Sequence, residues 1–281
     1  MKDYSDFVGK NQEILDKWRT KYPLKKQGKF AEDGIMNKGD FYLDPLMGYA
    51  CFRSPSKDGI ENILWAKAPL RVLFLTKDEN ISSTGIVWDV RKETFHQKGT
   101  RIDQNLITDN PFYRNQANIL YGILHTRAEN MVGFHEFSYE DALKISDDVI
   151  FARINCKKEG GGKTIADEKL DKEIRQYFDD LKDQILKLDA DIIICCGHQQ
   201  EKNVILNALY DIYPNEFQYV NLGFGKGTGL HYNEAKNILA IDAYHLAYLT
   251  GGEELRYYEV VGAYYEFLKQ YPEFAKSHRV N

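Results

Sequence analysis

The sequence predicts a three-layer α/β/α sandwich with a short, mainly parallel central sheet. Three observations carry this expectation. Apolar runs of strand length recur along the chain, at Val72–Thr76, Val149–Asn155, Ile192–Cys196 and Ile238–Ile241. Segments with apolar residues at helical spacing separate them. That alternation of strands and helices argues for a parallel sheet covered on both faces.

The elements follow in chain order. Phe7 to Tyr22 has Phe7, Ile14, Leu15 and Trp18 at helical spacing. Lys25 to Lys57 is rich in Gly, Pro and charge, with aromatic pieces (FYLDPLMGYACF) suited to lying across a domain surface. Residues 1–65 are therefore read as an N-terminal extension packing on the core, and 66–281 as the α/β/α domain. VLFLT at Val72–Thr76 is the first strand. The stretch from Ile81 to Asn110 is a long insertion, and loops of that length commonly serve recognition or gating. Asn115–His125 is a helix, Val149–Asn155 (VIFARIN) a second strand, and Glu168–Leu188 one long helix with apolar residues at 170, 174, 177, 178, 181, 185 and 188. Ile192–Cys196 is a third strand, Gln199–Tyr213 a helix, Tyr219–Leu222 a weaker strand, Ile238–Ile241 a fourth and Glu254–Lys269 a last helix.

Bulk composition narrows the function. With 37 basic and 42 acidic residues the net charge is -5, so the chain is not a generally basic nucleic-acid binder. A local basic cleft still acts through its own field. The four cysteines (Cys51, Cys156, Cys195, Cys196) form no CxxC pair, and Cys195 and Cys196 sit in an apolar run as buried thiols. MKDYSDFVGK has no apolar core for a signal peptide, and no apolar run reaches membrane-spanning length. The expected setting is a reducing, cytoplasmic compartment, with no membrane and no obligate protein partner.

In parallel sheets, ligands bind beyond the carboxyl ends of the strands. Here those ends read Thr76-Lys77-Asp78-Glu79-Asn80, Asn155-Cys156-Lys157-Lys158, Gly197-His198-Gln199-Gln200 and Asp242-Ala243-Tyr244-His245. A carboxylate, a carboxamide, a helix-opening glycine and an imidazole would gather on one edge. Their order resembles the uracil-DNA glycosylase superfamily. FLTKDEN stands where that family has FLGQDPY, and RINCKK where it has its Asn-bearing segment. DIIICCG matches its third strand, AYHLAYL its H-P-S-P-L-S loop, and NPFYRNQANILYGIL its G-x-P-F segment. The resemblance spans about Arg71 to Lys269.

The resemblance implies a uracil-DNA glycosylase-like fold and monofunctional cleavage of an N-glycosidic bond in DNA. The base would be flipped from the stack. It implies Asp78 as the group that stabilises the sugar cation and orients water, and His245 as the donor to the base O2. Asn155 would read the base edge and Phe112 would stack on it. Leu249, with Tyr248, would fill the gap in the duplex. Asn80 replaces the Tyr that crowds the pyrimidine C5 position, so the pocket would admit uracil or a C5-modified pyrimidine. Defence against phage carrying modified DNA would be a natural setting. No metal or other cofactor is needed. The family's thermophilic branch holds an iron–sulfur cluster, but these cysteines lack the four-thiolate spacing.

Other readings stand beside these. An Asp after a strand also makes turns or caps, Asn155 can bond nearby backbone, and Phe112 can be plain core. GGGKT at Gly160–Thr164 lacks the Walker spacing. With Lys157, Lys158 and Lys163 it is either a loop touching DNA phosphates or a solvated turn. His198 could help present backbone N–H groups to a phosphate at a helix start. Rival functions are a non-catalytic nucleic-acid-binding relative and an α/β hydrolase of free nucleosides or nucleotides.

Overall fold

Strands rich in apolar residues pair most favourably where both faces are covered, and the four central strands are buried in this way. In the computed structural model the described residues are 5–44, 50–78, 89–94, 110–162, 165–198, 202–222, 229–248 and 250–277. The strands are β1 (Gly34–Ile35), β2 (Phe41–Asp44), β3 (Ala50–Arg53), β4 (Val72–Thr76), β5 (Ala152–Asn155), β6 (Ile192–His198), β7 (Gln218–Val220), β8 (Leu230–Asn233) and β9 (Ile238–Tyr244). Seven form one sheet in the order β1-β5-β4-β6-β9-β8-β7, and β2 and β3 form a separate hairpin. The β5-β4-β6-β9 block is parallel. β1 and the β8-β7 pair flank it antiparallel.

Strand alternation splits the core in two. Leu73, Leu75, Ala152, Ile154, Ile193, Cys195 and Ala240 face a layer that includes Leu15, Trp18, Trp65, Leu181 and Leu209. Val72, Phe74, Phe151, Ile192, Ile194 and Ile241 face Leu120, Ile123, Val261 and Phe267. The sheet is thus a mixed, mostly parallel one between helices. No helix among the described residues is long and apolar enough to cross a membrane.

The four principal strands lie where the sequence puts them, with shifted ends. β5 begins only at Ala152, because Val149 closes the Tyr139–Asp148 helix, its N–H donating to Ile145 O at 2.8 Å. β6 and β9 run on to His198 and Tyr244. The long helix expected over Glu168–Leu188 is two, Asp167–Gln176 and Phe178–Leu188, broken at Tyr177 (φ -119°, ψ 30°). There the Tyr177 ring stacks on Tyr22 with centroids 4.5 Å apart, so tertiary packing overrides helical spacing. The last helix is interrupted by a π-helical turn at Tyr258–Gly262.

Residues 5–44 contribute core. The Phe7–Thr20 helix buries Leu15 and Trp18, and β1 pairs with β5. Asp33, immediately before β1, is fully buried. Its carboxylate accepts from Lys158 Nζ (2.6 Å to each oxygen), from Gln184 Nε2 at 2.8 Å and from the Asn155 N–H at 2.8 Å.

Candidate active site

Because β5, β4, β6 and β9 are parallel, their carboxyl ends share one edge. Thr76 pairs with Asn155, Leu75 with Cys195 and Cys196 with Ala243, which sets the ends level. Alternation places Phe74 and Thr76, then Phe151, Arg153 and Asn155, then Ile241 and Ala243, on the face covered by the Pro111–His125 helix. Asp78 and His245 each follow two residues beyond this row. Adjacent strands are about 4.8 Å apart, so Asn155 on β5 and the end of β9 stand roughly 14 Å apart across the edge.

Asp78 is tied to β5. Its Oδ2 accepts from Lys157 Nζ at 3.1 Å, and its side chain is 8% exposed. Burial raises its pKa above the ordinary carboxylate range, outweighing the opposing pull of Lys157 and Lys77. Lys77 is itself buried and pairs with Asp167 at 3.3 Å. Gly161 packs against the carboxylate, where a Cβ would stand 2.4 Å from Asp78 Oδ2. The GGG segment therefore supports Asp78, which its composition alone did not suggest.

Asn155 is buried, and its Oδ1 accepts from Thr76 Oγ1 at 2.6 Å. Its Nδ2 makes no hydrogen bond among the described residues and is available as a donor. Thr76, which stands where the resembled family has Gly, thereby engages one end of the amide, and its hydroxyl also lies 3.2 Å from Ile154 O. Sequence reasoning missed that role; a hydroxyl one register position from a strand-end amide was the available signal.

His245 closes the other side. Ala247 N–H donates to its Nδ1 at 3.2 Å. In the neutral ring the hydrogen then sits on Nε2, making that atom a donor. Burial, with the Lys77 charge, lowers its pKa to about 4. The Phe112 ring lies 5.9 Å from the His245 ring, with the Arg153 guanidinium 5.2 Å from its centroid. Asn110 caps this helix, accepting from Phe112 N–H at 3.0 Å, and Asn115 Nδ2 donates to Leu246 O at 2.6 Å. The helix is thereby locked to the His245 loop.

The expected phosphate contacts fare differently. Lys158 is 0% exposed and salt-bridged to Asp33, so it is a core residue and cannot meet DNA. Lys157 is spent on Asp78. His198 ends β6 instead of opening a helix, since the following helix starts at Val204 with Asn203 as its cap. Its Nδ1 is 3.0 Å from Asp242 Oδ2, and Asp242 Oδ1 accepts from Asn203 Nδ2 at 2.6 Å. A ring held beside a carboxylate is poorly placed to attract phosphate. Tyr248 is 42% exposed and stacks on Tyr244, centroids 5.0 Å apart, above Arg256. Asn80, Leu249 and Lys163 lie outside the described residues.

Set against family models, curated proteins and solved structures, the chain matches none of them.

Proposed function

We propose that the protein is a DNA glycosylase that hydrolyses the N-glycosidic bond of uracil or a C5-modified pyrimidine flipped out of DNA. One observation carries the reading. Asp78, Asn155, Phe112 and His245, widely separated in sequence, lie along one edge of the parallel strands, with chemistry that suits opposite ends of one nucleotide. As the C1′–N1 bond breaks, positive charge grows on the sugar and negative charge on the base. Asp78 stabilises the first and orients water. The neutral His245 Nε2–H donates to the base oxygen that receives the second. Asn155 Nδ2 donates to an acceptor on the base edge, and Phe112 stacks on the ring. Tyr248 fills part of the gap left in the stack.

The direct test is incubation with duplex and single-stranded DNA containing uracil, hydroxymethylcytosine or glucosylated hydroxymethylcytosine, with mass spectrometry of released bases. Release of one base from DNA, and none from the matching free nucleoside, supports the reading. Turnover of free nucleosides with DNA ignored would replace it by a nucleoside hydrolase, and release from neither would refute it.

Two further outcomes are expected. Gly161→Ala pushes the new Cβ onto Asp78 Oδ2. Displacing a catalytic group by about 1 Å reduces turnover roughly 100-fold, so single-turnover base release should fall by that order; an unchanged rate would separate Gly161 from the chemistry. The second outcome concerns pH. His245 has a folded-state pKa of about 4, below its unfolded value, so the unfolded chain binds the extra proton first. Stability therefore falls as pH drops from about 6.5 toward 4. His245→Gln should flatten that part of the curve in urea melts followed by circular dichroism, and an unaltered slope would place the titration elsewhere.

A further inference from the structure

Lys157 stands where it could do more than balance Asp78. Its backbone N–H donates to Lys77 O at 2.9 Å, so the strand ladder fixes the root of the side chain. Its Nζ is 3.1 Å from Asp78 Oδ2 and also donates to the Glu159 carbonyl, and the side chain is 13% exposed. The adjoining lysines are engaged elsewhere: Lys77 pairs with Asp167 and Lys158 with Asp33. A surface lysine of ordinary kind would extend into water. This one is folded back onto a carboxylate at the level of the strand ends.

The consequence rests on the glycosylase reading. If Asp78 faces C1′ of the flipped sugar, an amine one hydrogen bond from its carboxylate reaches the same carbon. We propose that Lys157 forms an imine with C1′ of the abasic deoxyribose left after base release, holding the product covalently. The hydrolysed sugar opens in part to a C1′ aldehyde. Lys157 Nζ gives a proton to Asp78, and its lone pair attacks C1′. The carbonyl π pair moves to oxygen, which takes a proton from the newly bonded nitrogen to give the neutral carbinolamine. Asp78 returns its proton to the hydroxyl, and the nitrogen lone pair expels it as water, leaving a protonated C1′=N bond and the Asp78 carboxylate. Asp78 accepts and returns the proton, a task suited to a carboxylate whose burial raises its proton affinity. A Schiff-base lysine must lose its proton before it attacks, and Asp78 is the acceptor within hydrogen-bond reach.

Sodium borohydride reduces such an imine to a stable amine and leaves non-covalent complexes separable. The full-length protein is mixed with an oligonucleotide carrying a preformed abasic site, reduced, and resolved on a denaturing gel. Wild type should give a protein–DNA adduct that peptide mass mapping assigns to Lys157. Lys157→Arg, which keeps a cation beside Asp78 but cannot form an imine, should lose it. An adduct that persists in Lys157→Arg, or maps to another lysine, overturns the inference. Base release by wild type with no adduct also overturns it, while leaving the glycosylase reading intact. Neither release nor adduct removes both.

Discussion

Asp78→Asn should lower base release by about 100- to 1,000-fold, the loss typical when a charge preorganised toward a transition state is removed. The substitution is nearly isosteric and keeps an oxygen toward Lys157, so shape is preserved and the negative charge alone is lost. That charge is held in a site with little water, which makes it effective against a developing cation. Its loss also leaves Lys157 Nζ, 3.1 Å away, without its anionic partner. The wild-type rate should fall at acid pH as Asp78 protonates. Because burial raises this pKa, that limb should lie above the ordinary carboxylate range. Burst measurements on the preferred DNA across pH would show both effects. An Asn variant within tenfold of wild type would exclude Asp78 from the bond-breaking step.

What could be read from the chain follows the range of the interactions. The four parallel strands were legible because VLFLT, VIFARIN, IIICC and ILAI are short, mainly apolar runs, a local signal. Asp78, Asn155 and His245 were legible because polar residues closing such runs stand out. β8, with the sequence LHYN, carries no such run and takes its strand form from pairing with β9. β1 is two residues long and exists only as an edge on β5. The Tyr139–Asp148 helix did have a signal: Ser138 and Asp141 form a capping box. Lys158 misled because lysine is seldom buried without a partner, and its partner lies 125 residues earlier in the chain. No pattern of spacing reveals such a pair.

That pair should give the largest stability effect in the protein. Asp33→Ala leaves the Lys158 ammonium fully buried with no counter-charge, and removing one partner of a buried ion pair typically costs about 3–5 kcal/mol. The same substitution removes the acceptor of the Asn155 N–H and one of the two acceptors of Gln184 Nε2, each held by Asp33 at 2.8 Å. Burial lowers the Lys158 pKa, so the variant relieves its unpaired charge in part by releasing the proton. The loss in urea denaturation should therefore be larger at pH 6 than at pH 9, where deprotonation is easier. Lys158→Met in the Asp33→Ala background should recover part of the stability, because an apolar side chain of similar length suits the site once the anion is gone. A double-mutant cycle isolates the coupling. An Asp33→Ala variant within 1 kcal/mol of wild type, as flagged by the ordinary scatter of surface substitutions at about 0.5 kcal/mol, would show that water or a rearranged neighbour replaces the carboxylate. If the loss is as large as expected, the N-terminal segment is what holds the end of β5. The position of Asn155, and through it the base reading proposed for its amide, then depends on a residue 122 positions earlier in the chain.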